Sequence, residues 1–154
     1  MTALVVRPVI DRLENAALGG LAALGLRDAR SAGDLVSAAD QIQHAVAFAV
    51  WLGDQAGPQS AGSHVHHQLI TTRVAIVCGY TNTGATAANW SDAWDTTRRA
   101  LLERLCGWVH PLSDPAPREG VSYVSASLAV ADTARKTMLC QAVFSFPHFL
   151  RIDP

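Results

Sequence analysis

The chain carries little charge. Of its 154 residues only 16% are Asp, Glu, Lys or Arg, and 12 basic side chains nearly cancel 13 acidic ones. A sparsely charged surface with almost no net repulsion suits a protein that buries part of itself against a partner. No basic tract stands out and the arginines are scattered, which argues against nucleic acid as a partner. Long apolar runs are missing too: each is broken by Arg, Asp or Gly, which excludes a membrane-spanning helix. The opening MTALVVRPVIDRLENAAL carries Arg7, Asp11, Arg12 and Glu14, so it lacks the uninterrupted apolar core of a signal peptide. Cysteine is scarce. Cys78, Cys106 and Cys140 are odd in number, show no CxxC spacing and sit in apolar elements. That predicts three reduced core thiols in a cytoplasmic product.

Catalytic signatures are also wanting. There is no HExxH and no GxSxG elbow, and GGLAALG lacks the Lys-Ser/Thr end of a phosphate loop. Asp92 and Asp95 in SDAWD are accounted for by a helix start. The one cluster that raises chemistry is SHVHHQLITTRVAIVC, where His64, His66 and His67 stand at the mouth of a β-like run. In a strand His64 and His66 point one way and His67 the other. Such an i, i+2 pair can share zinc, but a site needs a third protein ligand. His44, His110, His148 or an aspartate are available, and the sequence fixes none of them nearby. The competing reading, polar histidines at a strand end or a subunit contact, needs no third ligand. No cofactor is called for.

What the chain does contain is core. With 49% apolar residues it has the size and content of one ordinary domain over 1–154. In VVRPVIDRLENAAL, Val6, Val9, Ile10, Leu13 and Ala17 follow a helical period, with Pro8 in the first turn or kinking the start. GGLAALGL is too rich in glycine for a firm helix, and SAGDLVSAAD suggests a short one. AVAFAVWL reads as a strand at roughly 44–52, stopped by GDQAGP. AGPQSAGS is a loop, and HVHHQLITTRVAIVCGY a strand over about 65–80, long enough to project beyond the core. WSDAWDTTRRALLERLCGWVHP is the clearest helix, with Trp90, Trp94, Leu101, Leu105 and Trp108 on one stripe, broadened by Leu102 and Cys106. Asn89 or Ser91 caps it, Asp95 reaches Arg98 and Arg99, and Gly107 closes it. Two alternating strands follow. Val124, Ala126, Leu128 and Val130 share one face of the first, and Met138, Cys140, Ala142, Phe144 and Phe146 one face of the second, which Pro147 ends. The order predicts an α+β fold of two layers, a mainly antiparallel four-stranded sheet packed against helices. Arg73, mid-strand between apolar stretches, marks a solvent face or an edge or lumen face of an assembly.

The layout resembles the tail terminator, or minor tail, proteins of long-tailed bacteriophages. The resemblance runs from VVRPVIDRLENA through SAGDLVSAAD, AVAFAVWLGDQAGP, VHHQLITTRVAIVCGY and WDTTRRALLERLCGWVHP to CQAVFSFPHFL. It implies a structural protein of the virion, not an enzyme, assembled in the host cytoplasm. Its subunits, typically six, close into a ring at the head-proximal end of the tail. Implied partners are other copies of the chain, the tail tube protein and the head–tail connector or neck protein. Within that frame the contact candidates are Asp54 and Gln55 in the Gly53–Gly62 loop, and His64, His66, His67, Gln68 and Arg73 on the long strand. Arg118 and Glu119 in Leu112–Gly120 complete the set. The alternatives are another tail completion or neck protein of similar fold, or a small α+β enzyme with a His64/His66 metal site.

Overall fold

The computed structural model describes residues 2–26, 28–32, 46–59, 66–81, 87–132 and 137–152. Helix α1 (Thr2–Glu14) leads through two 3-10 turns to strands β1 (Asp28–Ser31), β2 (Val46–Gln59) and β3 (His66–Thr81). Helix α2 (Ala87–Leu105), a 3-10 turn at Pro111–Ser113, and strands β4 (Ser122–Asp132) and β5 (Thr137–Ile152) complete the order. The sheet runs β1-β2-β3-β5-β4. Only the β1–β2 pair is parallel; the other three are antiparallel.

The α+β class holds, with a fifth strand added. β1 is four residues, too short for alternation to register in the sequence. It takes in Ser31, the first residue of the segment expected to be a short helix; 33–40 lie outside the described residues. The 3-10 turns at Ala16–Leu18 and Ala22–Leu24 explain the glycines of that connection. Gly19 and Gly25 close them with φ of 93° and 73°, conformations that cost other residues a Cβ clash.

Two apolar clusters hold the sheet. On the helix side, Val5, Val6, Val9, Ile10 and Leu13 of α1 and Leu101 and Leu105 of α2 pack on the strands. They meet Ala47, Ala49, Val74, Ile76, Cys78, Ala142, Phe144 and Phe146. On the other face Val46, Phe48, Val50, Ala75, Val77, Leu139 and Val143 are buried together with Ala32. Burial on both faces is why Val46–Val50 shows no alternation: all five residues are apolar and all five are inside.

Both helices follow their periodicity, with corrections at the ends. Pro8 lies in the interior of α1, not its first turn. α2 begins at Ala87, ahead of Asn89 and Ser91, so neither is its cap, and Asp92 and Asp95 fall beyond the first turn. Asp95 does pair with Arg98 and Arg99, at 2.8 and 3.1 Å. Trp94, Leu102 and Trp108 are partly buried against the core. Cys78 and Cys140 are buried free thiols, and burial pushes Cys140 up to about 11. Cys106 is exposed, not a core residue, because it follows Leu105 where the chain leaves the helix. Gly107, at φ 81°, ends the helix as expected.

Two long-range ties fix the layer. The Arg104 guanidinium donates to the carbonyls of Leu13 (2.6 Å), Leu18 (2.6 Å) and Gly20 (2.7 Å). It thereby serves the open C-terminal end of α1 and the turn beyond it. Farther along, Gly107 N–H donates to the Val121 carbonyl and Val121 N–H to that of Trp108, at 2.9 and 2.7 Å. The backbones touch there: a Cβ on Gly120 would lie 2.6 Å from the Gly107 Cα. Gly120→Ala is therefore expected to cost about 2 kcal/mol. A urea titration checks this, the midpoint falling while the slope is unchanged.

Candidate assembly surface

Three strands outrun the rest of the sheet. β1 covers β2 only from Val46 to Ala49, and β4 reaches along β5 only to Ser145. Beyond those points β2, β3 and β5 continue alone. Asp54 pairs with Thr72 and Gln59 with Gln68, while the β3–β5 ladder runs on to His66 opposite Ile152. The result is a three-stranded ribbon with no further strand on either edge among the described residues. β2 enters it through a bulge between Trp51 and Gly53, with Gly53 at φ 125°, a bend that re-aims the strand.

Two expectations change here. GDQAGP does not stop the strand: Gly53–Gln59, expected to be loop, remains paired to β3. Pro147 does not end β5 either, but lies opposite Thr71 inside it. Past Ser145 no described strand pairs with β5 on its β4 side, and a strand with such an edge tolerates proline.

The ribbon has an apolar face. Leu69 and Phe149 are direct cross-strand partners, 36% and 41% exposed, and Leu52 at the bulge is 45% exposed. Leu69 shares the strand parity of Ala75 and Val77, so the pair extends the non-helix face into solvent. A paired, partly exposed Leu and Phe on a projecting ribbon is the kind of feature that suits a contact surface.

The opposite side of the ribbon's root holds a polar chain. Trp51 Nε1–H donates to Asp54 Oδ1 at 3.2 Å, and the Thr72 hydroxyl donates to the same oxygen at 2.6 Å. That commits the one hydroxyl proton, so at 2.8 Å the His148 Nε2–H donates to Thr72 Oγ1. His148 neighbours Phe146, on which His110 stacks at 4.0 Å. His110 Nδ1 accepts from Leu112 N–H, so its Nε2–H donates to the Val5 carbonyl at 2.8 Å. Burial holds both histidines below the ordinary imidazole range. For His148 the Asp54 carboxylate and a backbone bond at Phe149 work against that lowering. Thr72 is 0% exposed, so its hydroxyl is closed to a substrate; the chain braces the root.

Thr72→Val keeps the shape and removes the link, leaving the buried His148 N–H without its acceptor. A loss of about 1–2 kcal/mol is expected, read by thermal unfolding. Asp54→Asn, which keeps an acceptor oxygen, should lose less.

The predicted contact residues are only partly gathered. Asp54, Gln55 and Gln68 lie on the ribbon, where Gln68 Nε2–H donates to the Gly57 carbonyl at 3.0 Å. His66 and His67 belong to β3, opposite Ile152 and Arg151; His64 lies outside the described residues. Arg73 is exposed at the ribbon's root between Gly53 and Ser145, on an inner strand and not a sheet edge. Arg118 and Glu119 are exposed in a separate loop held by Ser113, whose carbonyl and Oγ accept from their N–H groups at 2.6 and 3.3 Å. The sequence reading chose polar residues and passed over Leu69, Phe149 and Leu52. The signal was there: apolar side chains on segments already expected to leave the core. Among the described residues no three His, Cys, Asp or Glu are placed to hold a metal ion. Among them, too, no helix is long and apolar enough to cross a membrane.

These features define a small α+β protein that presents an exposed ribbon. The family model of the phage tail terminator protein matches residues 1–154. The chain therefore belongs to the phage tail terminator family, structural proteins of the bacteriophage tail. Among curated proteins none matches the chain.

Proposed function

We propose that this chain acts as one tail-terminator domain without catalytic activity. Copies of it, typically six, close into a ring on the last ring of the tail tube protein at the head-proximal end. Assembly takes place in the host cytoplasm, and the ring stops tube growth and offers the head–tail connector a docking surface. The family match over the whole chain carries this reading. The ribbon with its exposed Leu69–Phe149 pair supplies an axial contact of the kind that role requires. Asp54, Gln55, His64, His66, His67, Gln68 and Arg73 would contribute to that contact, with Arg118 and Glu119 flanking it.

Electron microscopy of particles lacking the protein tests the reading. Unjoined heads and overlong tubes are expected. Normal, joined tails would refute it. Leu69→Lys with Phe149→Glu should reproduce the defect while changing thermal unfolding little, since both side chains are partly exposed and the cross-strand charges are opposite in sign.

A further inference from the structure

The two lateral edges of the sheet are unlike, and they match. At one edge, no strand lies beyond β4 among the described residues, and from Ser122 to Ala131 it contains no charged residue. Tyr123 and Leu128 are 40% and 51% exposed there. Both lie on the helix side of the sheet. Tyr123 pairs with Phe144 of the main core, resting edge-on against it at 6.0 Å, and Leu128 has the strand parity of Ala126, which packs on that core. An uncharged edge strand with apolar side chains invites pairing.

At the other edge a cleft of about 310 Å³ opens between α1 and β1. Ala3, Val6, Ile10 and Ala29 line it, with Arg7 and Arg30 at its rim. It lies on the same helix side, since Val6, Ile10 and Ala29 belong to the main core. Each arginine is already neutralised within the chain, Arg7 by Asp11 at 2.9 Å and Arg30 by Asp28. An apolar side chain entering the cleft therefore meets no uncompensated charge, and Ser122–Ala131 of β4 brings none.

Direction agrees as well. β4 is antiparallel to β5, β5 to β3 and β3 to β2, and β2 is parallel to β1. Copies placed edge to edge in one sense thus set β4 antiparallel to the next β1, the commoner and slightly stronger pairing. We infer that Leu128 of one copy seats in the α1–β1 cleft of the next, β4 continuing the neighbour's sheet beside β1, while Tyr123, hydrogen-bonded to Arg98 of its own chain, borders the contact. β1 offers only four residues to such a ladder, so the cleft carries much of the contact. Because the two surfaces differ, the contact is head-to-tail and repeats until it closes, as a ring requires. The inference rests on the ring reading above and names the faces that ring would use.

Cross-linking in assembled tails tests it. With Cys106→Ser as background, Leu128→Cys and Ser31→Cys are placed together in the protein that complements particles lacking it. Mild oxidation of purified tails is expected to give a covalent ladder up to the full ring, whereas either single variant stays monomeric. Co-assembled single variants should stop at dimers. Dimers from Leu128→Cys alone would mean that β4 pairs with its own copy, and would overturn the inference. So would absence of any ladder in tails whose rings are intact by microscopy. Normal tails without the protein would instead refute the ring reading itself. Leu128→Asp supplies an independent measure: unchanged thermal unfolding, with incorporation into tails reduced about tenfold or more.

Discussion

Arg104→Met lowers the thermal unfolding midpoint by roughly 10 °C. Methionine keeps much of the stem packing and forfeits three hydrogen bonds from a charged donor to the Leu13, Leu18 and Gly20 carbonyls. Arg104 is 8% exposed, so water replaces those donors poorly. Bonds from charged groups contribute about 1.5–3 kcal/mol each and are not additive, which puts the loss near 4 kcal/mol. For a chain of this size each kcal/mol moves the midpoint by about 2–4 °C. Arg104→Lys should recover only part, because one ammonium cannot span carbonyls that the guanidinium fork reaches from two nitrogens. Calorimetry decides the matter: a drop below about 2 °C for the methionine variant would show that the clamp contributes nothing.

The second large effect concerns His110. His110→Ala removes a fully buried ring stacked on Phe146 and both of its hydrogen bonds. The expected cost is about 3–4 kcal/mol. The same residue makes stability depend on pH. Burial lowers its pKa in the fold, partly offset by the Val5 carbonyl and aided slightly by His148; His148 is lowered by burial too. The unfolded chain therefore takes up protons first as acid is added. Stability contributed by these groups is complete above the unfolded value of 6.5. It is lost as pH falls toward the folded values, with a limiting slope of about 1.4 kcal/mol per pH unit for each histidine. Urea denaturation from pH 8 to 5 should show this decline. His110→Phe, which keeps the stack, should be less stable at pH 8 yet flatter with pH. Equal slopes in the two proteins would dismiss His110 as the titrating group.

Much of the fold was legible because most elements are amphipathic. The α1 stripe, the α2 stripe and the alternation of β5 each write their buried face into the spacing of apolar residues. β4 was less regular than it read: bulges between Tyr123 and Ser125 and between Leu128 and Val130 break its alternation. Strand lengths were misjudged where glycine or proline stood, at Gly53 and Pro147. Both are poor in a strand that needs two neighbours and tolerable in one with an open edge, and which edges are open is decided by chain segments far away in sequence. The same distance hid the Asp54–Thr72–His148 chain, which spans 76 residues from Thr72 to His148. Arg104 was invisible for a related reason, since its acceptors are backbone carbonyls that no side-chain pattern announces. Of the surface, only the overhang of the long strand was foreseen; its apolar pair emerged from the register.

The ribbon leaves the sheet at one end only. If the ribbon runs along the axis that relates copies in a ring, all tips show in the same direction and the two poles are unlike. In that orientation one pole carries Leu69 and Phe149. A ring of that shape would offer different partners at its two ends, as the role proposed above requires.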